Sequence, residues 1–167
     1  MGVTRFSDEQ SFSEIMENAD SALMAATKQA SGWQFASELS HIHSNTAWRE
    51  RLNIILEQQN ADILIQPIMS SETNTPSYFE AFARFKDKES GSVIPMSQLI
   101  PASERLNLIP EVDKLVVTLV LRKLSQTKCD VAINIANASL ASADFRSWLV
   151  SQLNQNIALC TKLVFEF

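Results

Sequence analysis

Eight consecutive residues, Tyr78-Phe79-Glu80-Ala81-Phe82-Ala83-Arg84-Phe85, constrain this chain more than any other stretch. Side chains along a strand alternate between two faces. Phe79, Ala81, Ala83 and Phe85 therefore share one side, and Tyr78, Glu80, Phe82 and Arg84 share the other. The first side is wholly apolar and reads as buried. The second sets a carboxylate and a guanidinium among aromatic rings. A Glu on a hydrophobic strand is costly unless something pairs with it. An ion pair or an exposed edge would satisfy it, and so would a ligand site.

Two later runs bear on that choice. Val131-Ala132-Ile133-Asn134-Ile135-Ala136 places Asn134 between two alanines, opposite Val131, Ile133 and Ile135. Leu163-Val164-Phe165-Glu166-Phe167 places Glu166 beside Val164, opposite Leu163, Phe165 and Phe167. Each of the three strands thus carries one oxygen-bearing residue on a face that is otherwise small or apolar. If those faces converge, Glu80, Asn134 and Glu166 form an all-oxygen cluster suited to a hard divalent cation.

At 167 residues the chain is one domain or parts of two. Hydrophobic residues at 46% and charged residues at 20% are those of a soluble globular protein with a core. A net charge of −5 argues against nonspecific binding to nucleic acid polymers or acidic membranes. The longest apolar runs, such as Leu115-Val116-Val117, stop at Thr118 and fall far short of a membrane span. Arg5, Asp8 and Glu9 precede any apolar core, unlike a signal peptide. Cys129 and Cys160 stand ahead of strands without metal-like spacing, so reduced thiols in the cytoplasm are expected. Three glycines leave no room for a glycine-rich phosphate loop. His41 and His43 share a strand face but have no third ligand at a sensible spacing, and they read as surface residues.

The order of elements is legible. Ser11 to Ala30 has helical spacing at Ile15, Ala19, Ala22, Leu23 and Ala26, with Ser11 and Glu14 spaced as a capping box and Ser31-Gly32 as its end. A polar strand through His41 follows. Ala47 to Gln58 predicts a helix with Trp48, Leu52, Ile55 and Leu56 on one stripe. Ile63 to Met69 and Tyr78 to Phe85 predict an antiparallel hairpin across a turn at Ser70 to Ser77. A short helix starts at Met96 and is broken by Asn107. Pro110 opens the next helix, where Glu111 and Asp113 complement the helix dipole, and it runs to about Gln126. The Asn134 strand, a helix with Phe145, Trp148, Leu149 and Leu153 on one stripe, and the Glu166 strand complete the order. Helix alternating with strand implies parallel strands joined by crossovers. The fold class is α/β: the N-terminal part of a TIM-like (β/α) barrel with an antiparallel first hairpin. In such barrels the functional residues gather at the C-terminal ends of the strands.

These residues also carry a family resemblance. Gln66-Pro67-Ile68, Phe79-Glu80-Ala81-Phe82-Ala83-Arg84, Ile100-Pro101 with Glu104, Leu108 and Ile109, then Asp113, the Asn134 strand and Leu163-Val164-Phe165-Glu166 stand in the order of bacterial EAL domains, named for a Glu-Ala-Leu motif. The stretch 61–167 resembles the N-terminal portion of such a domain. Gly2-Val3 and Ala19-Asp20-Ser21-Ala22-Leu23 resemble the late strand and last helix of a GGDEF (diguanylate cyclase-type) domain. Residues 1–44 are then a C-terminal remnant of an α+β GGDEF-like domain, and 45–60 a linker helix. On this reading the chain is a segment of a longer protein, with an incomplete barrel.

The resemblance implies hydrolysis of cyclic di-GMP to linear pGpG by a metal-assisted route. Glu80, Asn134 and Glu166 would be catalytic by holding Mg²⁺ or Mn²⁺, and Arg84, Gln66 and Phe82 would contact the nucleotide. Several residues depart from the pattern. Phe82 replaces the leucine of the name motif, Ile135-Ala136 replaces Leu-Ser, and Asn107 stands in place of a glycine. The family's second glutamate, paired aspartates, lysine and later glutamate would lie after Phe167. The alternative is a catalytically inactive cyclic di-GMP receptor with a degenerate GGDEF–EAL tandem of the LapD type. Glu104-Arg105-Leu106, Phe145-Arg146-Ser147-Trp148-Leu149 and Phe165-Glu166-Phe167 look similar to that group. Beyond cyclic di-GMP, the resemblance allows a homodimer through the EAL domain and, for a receptor, a protein effector and a place as the cytoplasmic part of an inner-membrane protein.

Overall fold

The computed structural model describes residues 1–6, 11–27, 32–36, 45–126 and 129–167. The segment with His41 and His43, and the end of the first helix with Ser31, lie outside the described residues. The chain divides into two compact units, Met1–Glu50 and Arg51–Phe167.

In the first unit, β1 (Gly2–Val3), α1 (Phe12–Ala26) and β2 (Gln34–Phe35) make a strand-helix-strand unit with β1 and β2 parallel. The long connection is what parallel pairing requires. Gly2 is needed where it stands, because a Cβ there would collide with the Ala19 carbonyl and the Leu23 backbone of α1. Helix α2 (Asn45–Gln58) begins in this unit and ends in the next, and its Trp48, Leu52 and Ile55 are buried.

The second unit is built on one four-stranded sheet in the order β3-β4-β5-β6. The hairpin predicted from the sequence is present, with β3 (Ala61–Met69) antiparallel to β4 (Pro76–Phe85). Both strands reach further than their apolar runs suggest. Pro76 sits at the first position of β4, a place where an inner strand tolerates its missing N–H. The remaining strands are parallel neighbours as expected: β4 with β5 (Val131–Asn134), and β5 with β6 (Leu163–Glu166). Strand β5 stops at Asn134, not at Ala136, because the Ala136 N–H turns to a side chain instead of the ladder.

The crossovers differ in detail from the sequence reading. Helix α3 (Met96–Arg105) ends where Asn107 takes φ 55°, and α4 (Ile109–Leu124) starts at once with Pro110 in its first turn. The single helix expected after β5 is three: α5 (Asn137–Ala141), α6 (Ala143–Gln155) and α7 (Ile157–Cys160). Ser142 causes the first break, since its Oγ accepts from the Phe145 N–H and caps α6. Both cysteines are free. Phe85, Leu99, Val117, Val120, Leu124, Ile133 and Phe145 are each almost fully enclosed and form the core on one side of the sheet. Ala81, Ala83 and Phe85 of β4 point into it, so Glu80, Phe82 and Arg84 occupy the other face.

Candidate functional site

Glu80 lies half-buried on β4 with Gln66 of β3 directly opposite in the hairpin register. On its other flank the register partner is Ala132 of β5, fully enclosed and small. That small neighbour lets the longer Glu80 side chain lean along β5 to the next residue on the same face. There Asn134 Nδ2 donates to Glu80 Oε1 at 2.7 Å. Asn134 is in turn level with Glu166 across the β5–β6 ladder. Residues level with each other on neighbouring parallel strands show the same face, so all three oxygen-bearing side chains share one side of the sheet. Among the described residues, no lysine or arginine forms an ion pair with Glu80. The partner the structure gives it is the Asn134 amide.

Arg84 lies two positions beyond Phe82 on the same face, and its guanidinium carbon stands 5.8 Å from the Phe82 ring centroid. This is within cation–π range. Arg84 Nη1 also donates to the Ala83 carbonyl at 3.0 Å. The register places Asp62 directly across from Arg84, yet Asp62 Oδ2 pairs with Lys86 Nζ at 2.6 Å. Among the described residues no carboxylate forms an ion pair with Arg84. Its guanidinium is half-buried and rests on the Phe82 ring and the Ala83 carbonyl.

A cavity of about 320 Å³ at the C-terminal end of β4 and β5 is lined by Phe82, Arg84 and Asn134 together with the core-facing Ala81, Ala83 and Phe85 and with Val112 and Val116 of α4, while Gln66, Glu80 and Glu166 lie outside its lining. Asp113 is in that wall; the sequence reading assigned it to the helix dipole and placed it among the family motifs but gave it no contact at the site. Its Oδ2 accepts the Ala136 N–H at 3.0 Å and the Ser139 hydroxyl at 2.6 Å. Burial pushes its carboxyl above the usual range, against the lowering effect of those two donors. Asp113 thus ties α4 to the turn that follows Asn134. The signal was available: Asp113 is four residues after Ile109 and four before Val117, both buried, so it lies on the inward stripe of the helix.

Gln66 is exposed and Glu166 half-buried. The strand ladders bring both to the site face. A donor set of two carboxylates and one amide oxygen fits a hard cation such as Mg²⁺ or Mn²⁺ better than a softer one. Asn134 would have to turn its amide to present oxygen, a rotation of a broad, soft torsion. Among the described residues no three His, Cys, Asp or Glu side chains cluster as a metal site. Also among the described residues, no helix is long and apolar enough to cross a membrane.

Comparison with known proteins adds the following. The family model described as the EAL domain matches residues 48–167. No protein of curated function matches in sequence. Among solved structures, the Vibrio cholerae LapD S helix-GGDEF-EAL protein bound to c-di-GMP is similar at TM-score 0.75 and 22% identity, over 98% of this chain and 41% of its own. The FimX EAL domain from Pseudomonas aeruginosa bound to c-di-GMP is similar at TM-score 0.63 and 21% identity, over 71% of this chain and 48% of its own. The PaMucR phosphodiesterase in its c-di-GMP complex is similar at TM-score 0.60 and 19% identity, over 72% of this chain and 51% of its own. The chain thus spans between about two-fifths and one-half of these structures.

Proposed function

This chain belongs to the EAL domain family, and on that premise we propose that it serves cyclic di-GMP signalling by binding cyclic di-GMP on the Glu80 face of the sheet and hydrolysing it to pGpG. The observation that carries the proposal is the 2.7 Å hydrogen bond in which Asn134 Nδ2 donates to Glu80 Oε1, bringing side chains of two strands together on the face that also carries Arg84, which has no carboxylate ion pair among the described residues. Arg84 would anchor a phosphate, for which a planar fork of donors is well shaped. Gln66, opposite Glu80, and Phe82 would meet the nucleotide from the same face. Glu80, Asn134 and Glu166 would hold Mg²⁺ or Mn²⁺. Such an ion supplies charge neutralisation at the phosphate and an acidified water. Asp113 would keep the Asn134 end of β5 in place through the following turn.

A second reading rests on Phe82. The ring is larger than the leucine of the family motif and stands 5.8 Å from the Arg84 guanidinium carbon, so it alters the wall of the ligand face. This second reading is the receptor one, in which a protein effector, not pGpG, is the output. The similarity of both units to a LapD-type tandem supports it as a matter of fold.

Calorimetry on the full-length protein tests the shared part. Arg84→Ala should weaken cyclic di-GMP binding by about 1.5–3 kcal/mol, the range for hydrogen bonds to a charged group. Unchanged affinity would remove Arg84 from the site. Incubation with cyclic di-GMP and Mg²⁺ or Mn²⁺ separates the readings: steady pGpG release means enzyme, and binding without product means receptor.

A further inference from the structure

We propose that Lys86 is a positioning residue that keeps Arg84 available to an anionic ligand by drawing Asp62 away from it. The inference deepens the cyclic di-GMP reading and rests on it for the identity of the ligand, though not for the state of Arg84. Asp62, Arg84 and Lys86 occupy one face of the hairpin, with Asp62 directly across from Arg84 and diagonal to Lys86. Oppositely charged residues directly across a ladder ordinarily attract each other. Here the nearer pairing in register is not the one made. Asp62 Oδ2 meets Lys86 Nζ at 2.6 Å, while Arg84 turns toward the Phe82 ring and the Ala83 carbonyl.

Two features hold that choice in place. The hairpin base is fixed on the Lys86 side, where Lys86 N–H donates to the Asn60 carbonyl at 2.9 Å and Asn60 Nδ2 donates to the Lys86 carbonyl at 3.0 Å. The Phe82 ring gives the guanidinium a seat that costs it little hydration, since Arg is weakly hydrated and stacks well on aromatic faces. Arg122 and Lys123, which line a pocket with Asp62, donate instead to Gln59 Oε1 and the Ile63 carbonyl. With Lys86 absent, Arg84 is the cation directly across the ladder from Asp62. A carboxylate bound there would compete with a ligand phosphate for the same fork.

The test uses three forms of the full-length protein besides the wild type: Lys86→Met, Asp62→Asn and the double variant. Two readouts are taken. The first, with no nucleotide, is the rate at which phenylglyoxal modifies Arg84, followed by peptide mass spectrometry, with Arg51 as an internal reference because it is already held by Asp87 at 2.7 Å. The second is cyclic di-GMP affinity by calorimetry. Lys86→Met should slow Arg84 modification and weaken nucleotide binding by roughly threefold, the scale of an exposed charge pair. The double variant should recover both, because no carboxylate then remains to capture Arg84. A purely structural role for Lys86 predicts no such recovery. Modification of Arg84 at the wild-type rate in Lys86→Met, or a loss that the double variant fails to restore, overturns the proposal. If the modification pattern appears as expected but no form binds cyclic di-GMP, the positioning role stands and the nucleotide reading falls.

Discussion

At the scale of single residues, Asp113 and Asp87 show two carboxylates driven in opposite directions. The N–H of Ser90 bonds Asp87 and lowers its carboxyl below its usual range, and Arg51 adds to the effect. Burial raises Asp113. The sign for Asp113 follows from proton counting. Its unfolded value is near 3.8 and its folded value is higher, so between the two the folded chain holds a proton that the unfolded chain has released. Ionisation therefore burdens the folded state; the penalty is absent below the unfolded value and complete above the folded one. Compared with Asp113→Asn, the wild type should lose stability as pH rises from about 3.8 to the raised value and then run level. Urea midpoints across that window measure it, and a constant difference would contradict it. Asp87 should behave oppositely. Its contribution is present above the usual carboxylate value and disappears as pH falls through the lowered one, so Asp87→Asn should narrow its deficit in acid.

Elements take their limits from a few special residues. Asn107 closes α3 and admits α4 because it adopts φ 55° where other L-residues are strained. Replacing it with Ala should cost about 1–2 kcal/mol, the penalty for a side chain in the left-handed region without local polar compensation. Glycine at the same place should be tolerated, since it visits that region freely. Chemical denaturation of the two variants distinguishes this account from one in which the Asn107 side chain matters, in which case both would be equally damaged. Ser142 acts similarly by dividing α5 from α6 with its cap. Ser139 sits within the short α5, fully enclosed, and its hydroxyl donates to Asp113.

For the whole molecule, the sheet is the organising object. It gathers Gln66, Glu80, Asn134 and Glu166 from four strands whose sequence separations run to 100 residues between Gln66 and Glu166. A ligand that binds only the folded form must stabilise it, so cyclic di-GMP at about 100 times its Kd should add about 2.7 kcal/mol to the unfolding free energy. Glu80→Ala should keep most of that increment while abolishing any pGpG formation, because the role proposed for Glu80 is to hold the cation, not the nucleotide. Absence of stabilisation in the wild type would remove cyclic di-GMP as the ligand. Loss of stabilisation in Glu80→Ala with retained turnover would reverse the roles given to Glu80 and Arg84.

Much of this was legible from local pattern alone. Period-two alternation assigns Glu80 and Arg84 to one face and Ala81, Ala83 and Phe85 to the core, because pleating is a property of each strand by itself. The short turn before Pro76 makes the hairpin antiparallel, and helices between later strands make them parallel, since chain length limits the available crossings. The ordered motifs were enough to suggest the family. What needed tertiary structure was the choice among partners. Asp62 faces Arg84 but takes Lys86, Glu80 reaches past Ala132 to an amide instead of a cation, and Asp113 leaves its helix terminus for the turn after Asn134. In each case the sequence offered several polar groups of suitable chemistry. Only the register, the size of the neighbouring side chain and the burial of the group decided which of them lay within hydrogen-bond reach.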